Sequence, residues 1–208
     1  LATSSFGQGQ TVTMIQLASA FSAVINGGNY YQPHVVKEIN SESGAVVSSN
    51  DNTLVKRVVS EDASKLIRKY LEKTVEDDEG TANPARVKGY VIGGKTGTAE
   101  KWPRNEGKYL VSFAGFTPTD KPELMIYVVI DEPHVSDQAH STYATEFASE
   151  VLKDVLPMLG IYKQTGKSDS AKKITLPSTK KGNQLLDVPK GGFSSSTYKV
   201  AKSKKNNG

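Results

Sequence analysis

One short stretch of the 208-residue sequence carries two overlapping patterns, each of which could do chemistry. Residues 89–96 (GYVIGGKT) match G-x-x-x-x-G-K-[ST], the pattern of loops that wrap phosphate groups with backbone NH groups. Residues 95–98 (KTGT) combine a lysine, two hydroxyl groups and a glycine. A lysine next to a threonine hydroxyl can bind a carboxylate, so the two patterns predict different ligands.

The phosphate-binding interpretation requires a strand, then a loop, then the N-terminus of a helix. The loop positions of residues 89–96 hold the strand formers Tyr-Val-Ile, and the glycine and proline residues that follow disfavour a helix. Residues 124–132 (LMIYVVIDE) resemble the acidic strand that binds magnesium in nucleotidases. However, another extended segment, residues 109–117, lies where a parallel sheet needs a crossover helix. We therefore expect a strand at residues 95–98, and neither a nucleotide nor any other cofactor.

On a strand, Lys95 and Gly97 face one side and Thr96 and Thr98 face the other, because side chains alternate. Gly97 has no Cβ, which allows the backbone of a ligand to approach and pair with the strand. Lys95 and a threonine hydroxyl could then hold the carboxylate of that ligand. Taken alone, the same four residues also fit an exposed edge strand that is protected by a lysine.

Hydrophobic periodicity predicts the elements that must position this strand. Thr13 and Gln16 form a capping box before a first helix, Ser60 caps a second, and a third is predicted at residues 142–159. Extended segments are predicted at residues 34–39, 45–47, 54–59, 87–98, 109–117 and 124–131. This order favours an α/β fold of the α+β type, in which helices flank an antiparallel sheet.

Composition excludes several classes of function. The chain has no cysteine, which rules out disulfides, thiol nucleophiles and cysteine-ligated zinc. The histidines His34, His134 and His140 are expected in surface or structural roles, and the acidic residues 76–79 at a solvated helix end. No apolar run approaches the ~20 residues that a membrane-spanning helix needs.

Charge divides the chain into two parts. Residues 163–208 hold eleven lysines and two aspartates, a net charge of +9, whereas residues 1–162 hold 15 basic and 20 acidic side chains, a net charge of -5. We expect one domain over residues 1–162 and a disordered linker or tail over residues 163–208, whose composition is too polar for a core. The basic tail could contact polyanions, but we expect no nucleic acid partner.

A longer series of motifs gives the predicted strand a family context. The sequence reads SFGQG at residues 5–9, VT at 12–13, QLA at 16–18, NGG at 26–28, PHV at 33–35, GTA at 80–82, GKTGTAE at 94–100 and SFAGF at 112–116. Over about residues 1–160, this series resembles the class B penicillin-binding proteins, in which K-T-G marks an active-site strand. It resembles in particular the C-terminal half of the serine D,D-transpeptidase domain in Gram-positive cell-division or sporulation enzymes.

The resemblance implies the penicillin-binding transpeptidase, or serine β-lactamase-like, fold and the chemistry of peptidoglycan cross-linking. A serine of an S-x-x-K motif attacks the D-Ala-D-Ala bond of a stem peptide, and an amine of a neighbouring peptide resolves the acyl-enzyme. Lys95 would hold the carboxylate of the stem peptide or of a β-lactam antibiotic, assisted by Thr96 and Thr98. Gly97 would keep the strand approachable, and the Thr98 NH would donate to the oxyanion.

The family's nucleophile, its helical lysine and its S-x-N motif precede the SFGQG stretch, whereas this sequence starts at Leu1. Two S-x-x-K matches, at residues 170–173 and 178–181, lie in the polar tail, and an S-x-N match at residues 48–50 follows a hairpin. We interpret all three as accidental. The segment is therefore expected to need the N-terminal half of its own domain as a partner, and to be inactive and prone to aggregation alone.

The resemblance also implies a location and leaves two alternatives open. Such enzymes work at the extracytoplasmic face of the cell membrane through an N-terminal anchor, which would precede Leu1, and act with other division or sporulation proteins. One alternative is a serine β-lactamase or β-lactam sensor, which shares K-T-G. The other is a non-catalytic module that binds wall peptide or a partner protein, which the absence of an upstream S-x-x-K motif would indicate.

Overall fold

The computed structural model describes residue 7 and residues 10–50 and 52–164. These ranges contain three α-helices: α1 (Met14–Ile25), α2 (Glu61–Glu76) and α3 (Thr142–Met158). A short 3-10 helix spans Asn83–Ala85. The strands in the same ranges are β1 (Asn29–Tyr31), β2 (Glu38–Asn40), β3 (Val46–Ser49), β4 (Leu54–Arg57), β5 (Gly93–Glu100), β6 (Tyr109–Thr117) and β7 (Leu124–Asp131). None of the described helices combines the length and apolar character that crossing a membrane requires.

All described strand pairs are antiparallel, as predicted. β5, β6 and β7 form a three-stranded sheet in that order, while β1 pairs with β4 and β2 with β3 in two separate ribbons. In the sheet, Lys95 of β5 lies opposite Ala114 of β6, and Thr98 lies opposite Val111. The predicted motif strand is therefore part of β5, at the edge of this sheet.

Helices cover both faces of the three-stranded sheet. Phe113 and Phe116 are three positions apart on β6, so their rings point to opposite faces. Phe113 belongs to the same buried cluster as Leu152 of α3, whereas the Phe116 ring lies 6.1 Å, centroid to centroid, from the ring of Phe21 in α1. Both phenylalanines are fully buried, and burial of each contributes about 1.5–3 kcal/mol.

Local capping signals fix the starts of α1 and α2, as predicted. The Thr13 NH donates to Gln16 Oε1 at 2.9 Å, and the Gln16 NH donates to Thr13 Oγ1 at 3.3 Å. Ser60 Oγ accepts from the Ala63 NH at 3.2 Å. Each contact satisfies an NH group that the first helical turn leaves without a partner.

The end of α1 packs closely against the start of α2. Gly28 has a φ of +93°, and a Cβ on it would lie 1.9 Å from the Val59 carbonyl oxygen. The neighbouring Gly27 NH donates to the hydroxyl of the fully buried Ser64 at 3.0 Å. The glycine pair therefore ends the helix and also lets two backbone segments approach each other.

The acidic end of α2 is solvated only in part, whereas the sequence predicted a solvated helix end. Arg86 Nε donates to the Val75 carbonyl at 2.9 Å, and another guanidinium nitrogen donates to the Glu76 carbonyl. A third donates to the Asp78 carboxylate at 2.9 Å. The prediction is correct for the exposed Asp78 and Glu79 but not for the partly buried Glu76, because Arg86, which lies beyond the helix, supplies a cation to its last carbonyl groups.

Several strands also differ from prediction. β1 was not predicted, and its partner β4 comes more than twenty residues later in the chain. Of the predicted segment at residues 34–39, only the last two residues enter β2. β5 begins at Gly93 rather than residue 87, because Gly89 has a φ of +89° and the Tyr90 NH closes a turn onto the Val87 carbonyl at 3.0 Å.

Candidate functional site

The outer edge of β5 is unpaired among the described strands, and the hydrogen-bond pattern of the sheet decides which backbone groups it presents. Just beyond the paired residues, the Lys101 NH donates to the Lys108 carbonyl at 2.9 Å. Hydrogen-bonded pairs recur at every second residue of an antiparallel ladder. Residues 95, 97 and 99 therefore direct their NH and C=O groups toward β6, whereas Thr96 and Thr98 direct theirs outward.

Two side-chain contacts agree with this alternation. Thr74 Oγ1 of α2 donates to the Gly94 carbonyl at 2.5 Å, and Lys95 Nζ donates to the Thr96 carbonyl at 2.8 Å. Both carbonyls belong to residues whose backbone groups point away from β6. The ammonium of the exposed Lys95 thus lies at the outer edge of β5, beside the backbone of Thr96.

Gly97 lies opposite Ser112 of β6. A Cβ on Gly97 would lie 2.5 Å from Ser112 Oγ, so any larger residue would displace this hydroxyl. The sequence pattern indicated only that Gly97 lets a ligand approach the strand. Packing against the neighbouring strand is a second reason for a glycine here, and it became visible only with the register between β5 and β6.

Polar side chains of α2 bind the segments before β5 and after β6, and none of these side chains was predicted from the sequence. Glu76 Oε1 accepts from the Ile92 NH at 2.9 Å, just before β5 begins. The Glu72 carboxylate accepts from the Thr119 hydroxyl after β6. With Thr74, these side chains connect one helix to the start of β5 and the end of β6. Burial raises the pKa of Glu76 above its usual range, an effect that the Ile92 NH opposes.

The closest sequence signal for this packing is the glycine pair at the start of β5. A Cβ on Gly93 would lie 2.6 Å from the Phe116 ring, and one on Gly94 would lie 2.5 Å from the Phe113 ring. Both rings are buried in the core. A side chain on either glycine would therefore displace the phenylalanine ring next to it. A Cβ on Gly93 would also lie 3.2 Å from the Glu72 backbone nitrogen, so this glycine lets the sheet and α2 lie close together.

Comparison with known proteins connects this edge strand to a family. Residues 1–153 match the family described as penicillin binding protein transpeptidase domain. The chain belongs to this family. Stage V sporulation protein D of Bacillus subtilis is 44% identical over 166 residues, which cover 77% of this chain and 25% of that protein. The peptidoglycan D,D-transpeptidase FtsI homolog of Mesostigma viride is 31% identical over 174 residues, covering 76% and 28% of the two chains.

Solved structures show the same relationship. Penicillin-binding protein 3 from Mycobacterium tuberculosis, crystallised with ampicillin, has a TM-score of 0.67 and 26% identity, covering 77% of this chain and 38% of that one. The predicted family and the predicted penicillin-binding α+β fold are confirmed. The chain spans about a quarter of the length of the curated relatives it matches.

The fold of this transpeptidase segment rules out the phosphate-binding interpretation. The residues that would open a helix continue β5, which pairs with β6 along its full length. The segment that resembled a magnesium-binding strand is β7, an antiparallel neighbour of β6. Its acidic end is occupied, because Lys101 Nζ lies 2.9 Å from Asp131 and 2.6 Å from Glu132. These contacts, chiefly that with Glu132, raise the pKa of Lys101.

The remaining motif matches are either structural or outside the described residues. In the S-x-N match at residues 48–50, Asn50 Nδ2 donates to the Val36 carbonyl at 2.5 Å and so supports the ribbon of β2 and β3. Both S-x-x-K matches lie outside the described residues, as do all but one residue of the SFGQG stretch and nearly all of the basic tail.

Proposed function

We propose that this chain is part of a penicillin-sensitive peptidoglycan D,D-transpeptidase, in which β5 is the substrate-binding strand. The observation that supports the proposal is the outer edge of β5, where the NH and C=O groups of Thr96 and Thr98 and the ammonium of Lys95 lie together. An extended peptide can add to such an edge as another strand. One relative is named as a D,D-transpeptidase, and another was crystallised with ampicillin.

In this proposal Lys95, with the hydroxyls of Thr96 and Thr98, binds the carboxylate of a stem peptide ending in D-Ala-D-Ala or of a β-lactam. Gly97 lets the peptide approach. The Thr98 NH, which points outward, donates to the carbonyl oxygen of the scissile bond, where negative charge develops. These groups bind and polarise the substrate but do not attack it.

The nucleophilic serine belongs to the N-terminal half of the domain. Its oxygen attacks the carbonyl carbon between the two D-alanines, and the terminal D-alanine leaves as a free amine. An amine of a second stem peptide then attacks the ester and releases the serine. The cross-link is complete without oxidation, reduction or a further co-substrate.

The setting of the enzyme is part of the proposal. We propose that the complete protein acts at the outer face of the cell membrane through an upstream anchor, together with division or sporulation proteins. Its transpeptidase domain includes residues 1–162, and residues 163–208 are a basic linker or tail. The similarity to a sporulation protein supports this setting.

The proposal is tested by labelling the full-length protein with fluorescent penicillin and mapping the modified peptide. A stable adduct on a serine upstream of Leu1 is expected. Lys95→Ala should lower the labelling rate about 10- to 100-fold, since a hydrogen bond to a charged group contributes about 1.5–3 kcal/mol. Lys121→Ala, which removes an exposed lysine from the turn between β6 and β7, is the matched control and should label normally.

Other outcomes would identify the alternatives. Rapid hydrolysis of the adduct would indicate a β-lactamase, and no adduct would indicate a non-catalytic module. The role of the Thr98 NH is tested by Thr98→Pro, which removes an outward NH and leaves the bonds to β6 in place. Acylation should fall about 100-fold or more, whereas Thr98→Ala, which keeps the NH, should have a much smaller effect.

A further inference from the structure

Thr74 is the point at which α2 contacts the outer edge of β5. Its hydroxyl lies 2.5 Å from the Gly94 carbonyl and 2.8 Å from the Leu71 carbonyl in its own helix. One hydroxyl has one proton, and the shorter contact is the one to β5. Within the described residues, Gly94 carries the only outward-facing backbone group of β5 that a side chain of another element binds.

The peptide group between Gly94 and Lys95 is therefore held from both sides. Its NH, which belongs to Lys95, points toward β6 and the partner residue Ala114. Its C=O, which belongs to Gly94, points outward and accepts from Thr74. This peptide group ends at the Lys95 Cα, so holding its plane limits the directions in which the Lys95 side chain can leave the backbone.

We propose that Thr74 is a positioning residue for the substrate-binding strand, because its hydroxyl fixes the peptide group that immediately precedes Lys95. This inference rests on the proposed function of β5. Thr74 does not touch the substrate and acts only through the position of Lys95. A binding group must be held in the correct geometry to contact its ligand, so a single tether at this point can affect binding.

The hydroxyl can be removed with little change in shape. Thr74→Val keeps the branched side chain but cannot donate, and Thr74→Ser keeps the donor. The matched control is Thr145→Val, because Thr145 also donates to a carbonyl three residues earlier in its helix, at 2.9 Å, and belongs to α3, which packs on β6 and β7. Comparing the two valine variants separates the loss of a helical hydrogen bond from the loss of the contact with Gly94.

The experiment measures acylation of the full-length protein by fluorescent penicillin over a range of concentrations. The apparent dissociation constant and the first-order acylation rate are obtained separately, and thermal unfolding is recorded for each variant. Thr74→Val should raise the apparent dissociation constant about 5- to 10-fold, as expected for one hydrogen bond of about 1 kcal/mol or slightly more. Its first-order acylation rate should change much less, and Thr74→Ser should restore binding.

Lys95→Ala, measured in parallel, separates the role of Thr74 from the proposed function of β5. If Lys95→Ala labels normally, both the proposed function of β5 and the role of Thr74 are overturned. If Lys95→Ala is impaired but Thr74→Val binds penicillin normally, only the role of Thr74 is overturned. The same holds if Thr74→Val and Thr145→Val lower the melting temperature and penicillin binding equally, because Thr74 would then be a general stability residue.

Discussion

The sheet of β5, β6 and β7 and the two ribbons contain strands of the same kind, but their environments differ. Most residues of β6 are buried, and Val111, Phe113 and Phe116 are fully buried. In β2, β3 and β4 every residue is exposed, including Ile39 at 56% and Val47 at 68%. Both regions are hydrogen-bonded antiparallel strands, so backbone pairing does not account for the difference.

The difference in burial arises from packing against helices. Helices pack on both faces of the three-stranded sheet, whereas the ribbon of β2 and β3 has no helix against it in the described residues. A strand pair alone buries little apolar surface, and burial on a helix supplies most of the stabilising free energy. Apolar residues in the two regions are therefore expected to contribute very differently to stability, which mutations can test.

The largest difference in stability is expected between substitutions of two apolar residues, one in each region. Phe113→Ala should lower the free energy of unfolding by about 3–5 kcal/mol, because it leaves a cavity in the buried cluster. Val47→Ala, in the exposed ribbon, should change it by less than about 0.5 kcal/mol. Urea unfolding of the full-length protein, followed by circular dichroism, measures both values. Equal losses would contradict the comparison and would show that the ribbon is covered in the complete protein.

Two glycines test whether the two ribbons differ from each other in their packing. Gly28 and Gly44 have φ values of +93° and +81°, so alanine at either position costs about 1 kcal/mol in backbone strain. At Gly28 the new Cβ would also lie 1.9 Å from the Val59 carbonyl, whereas at Gly44 it would meet no atom within 4 Å. Gly28→Ala should therefore destabilise by more than about 2 kcal/mol, clearly more than Gly44→Ala.

Thermal unfolding of the two alanine variants provides the measurement. If both lose the same stability, the junction between α1 and β1 would have to be free to move, and its packing against the start of α2 would not matter. A larger loss of stability at Gly28 would show that the residues just before β1 pack firmly against the start of α2.

The smallest effect is expected from Glu76, whose pKa burial raises above the usual range. The folded protein then holds the proton more readily than the unfolded chain, so stability falls as the pH rises through the raised pKa. Glu76→Gln is neutral at every pH and can still accept from the Ile92 NH. It should melt higher than the wild type at pH 7, and the difference should shrink as the pH falls toward the usual glutamate pKa.

The control for this series is Glu79→Gln, which removes an exposed carboxylate near the same end of α2. Melting temperatures of the wild type and both variants between pH 4 and pH 7 give the result. A Glu76→Gln variant that melts lower than the wild type at pH 7 would show that attraction to Arg86 outweighs the cost of burying the carboxylate.

The sequence predicted those parts of the fold that short-range signals determine. The capping residues Thr13 and Ser60 placed two helix starts correctly, and the bounds of β6 and β7 agree with the structure. β1 was missed because it has only three residues and its partner is distant in the chain. Its existence depends on a tertiary contact that no local pattern encodes.

The candidate site could likewise be predicted from the sequence only in part. Lys95 and the hydroxyl residues next to it follow from the motif, and the alternation of side chains follows from the strand. The direction of the backbone groups requires the register between β5 and β6, and the contacts of Thr74 and Glu76 require the position of α2. Neither the register nor the position of α2 can be predicted from one sequence, since each depends on how distant segments pack.

The alternation of hydrogen bonds along β5 also limits how the length of this segment can change. If one residue were added between Ile92 and Lys95 and the strand slid along β6 to accommodate it, the outward NH of Thr98 would turn toward β6. The backbone of Gly97 would take its place at the edge. Two added residues would restore the original arrangement. The segment that leads into the site therefore tolerates changes in even steps, while a change of one residue exchanges the two sets of backbone groups.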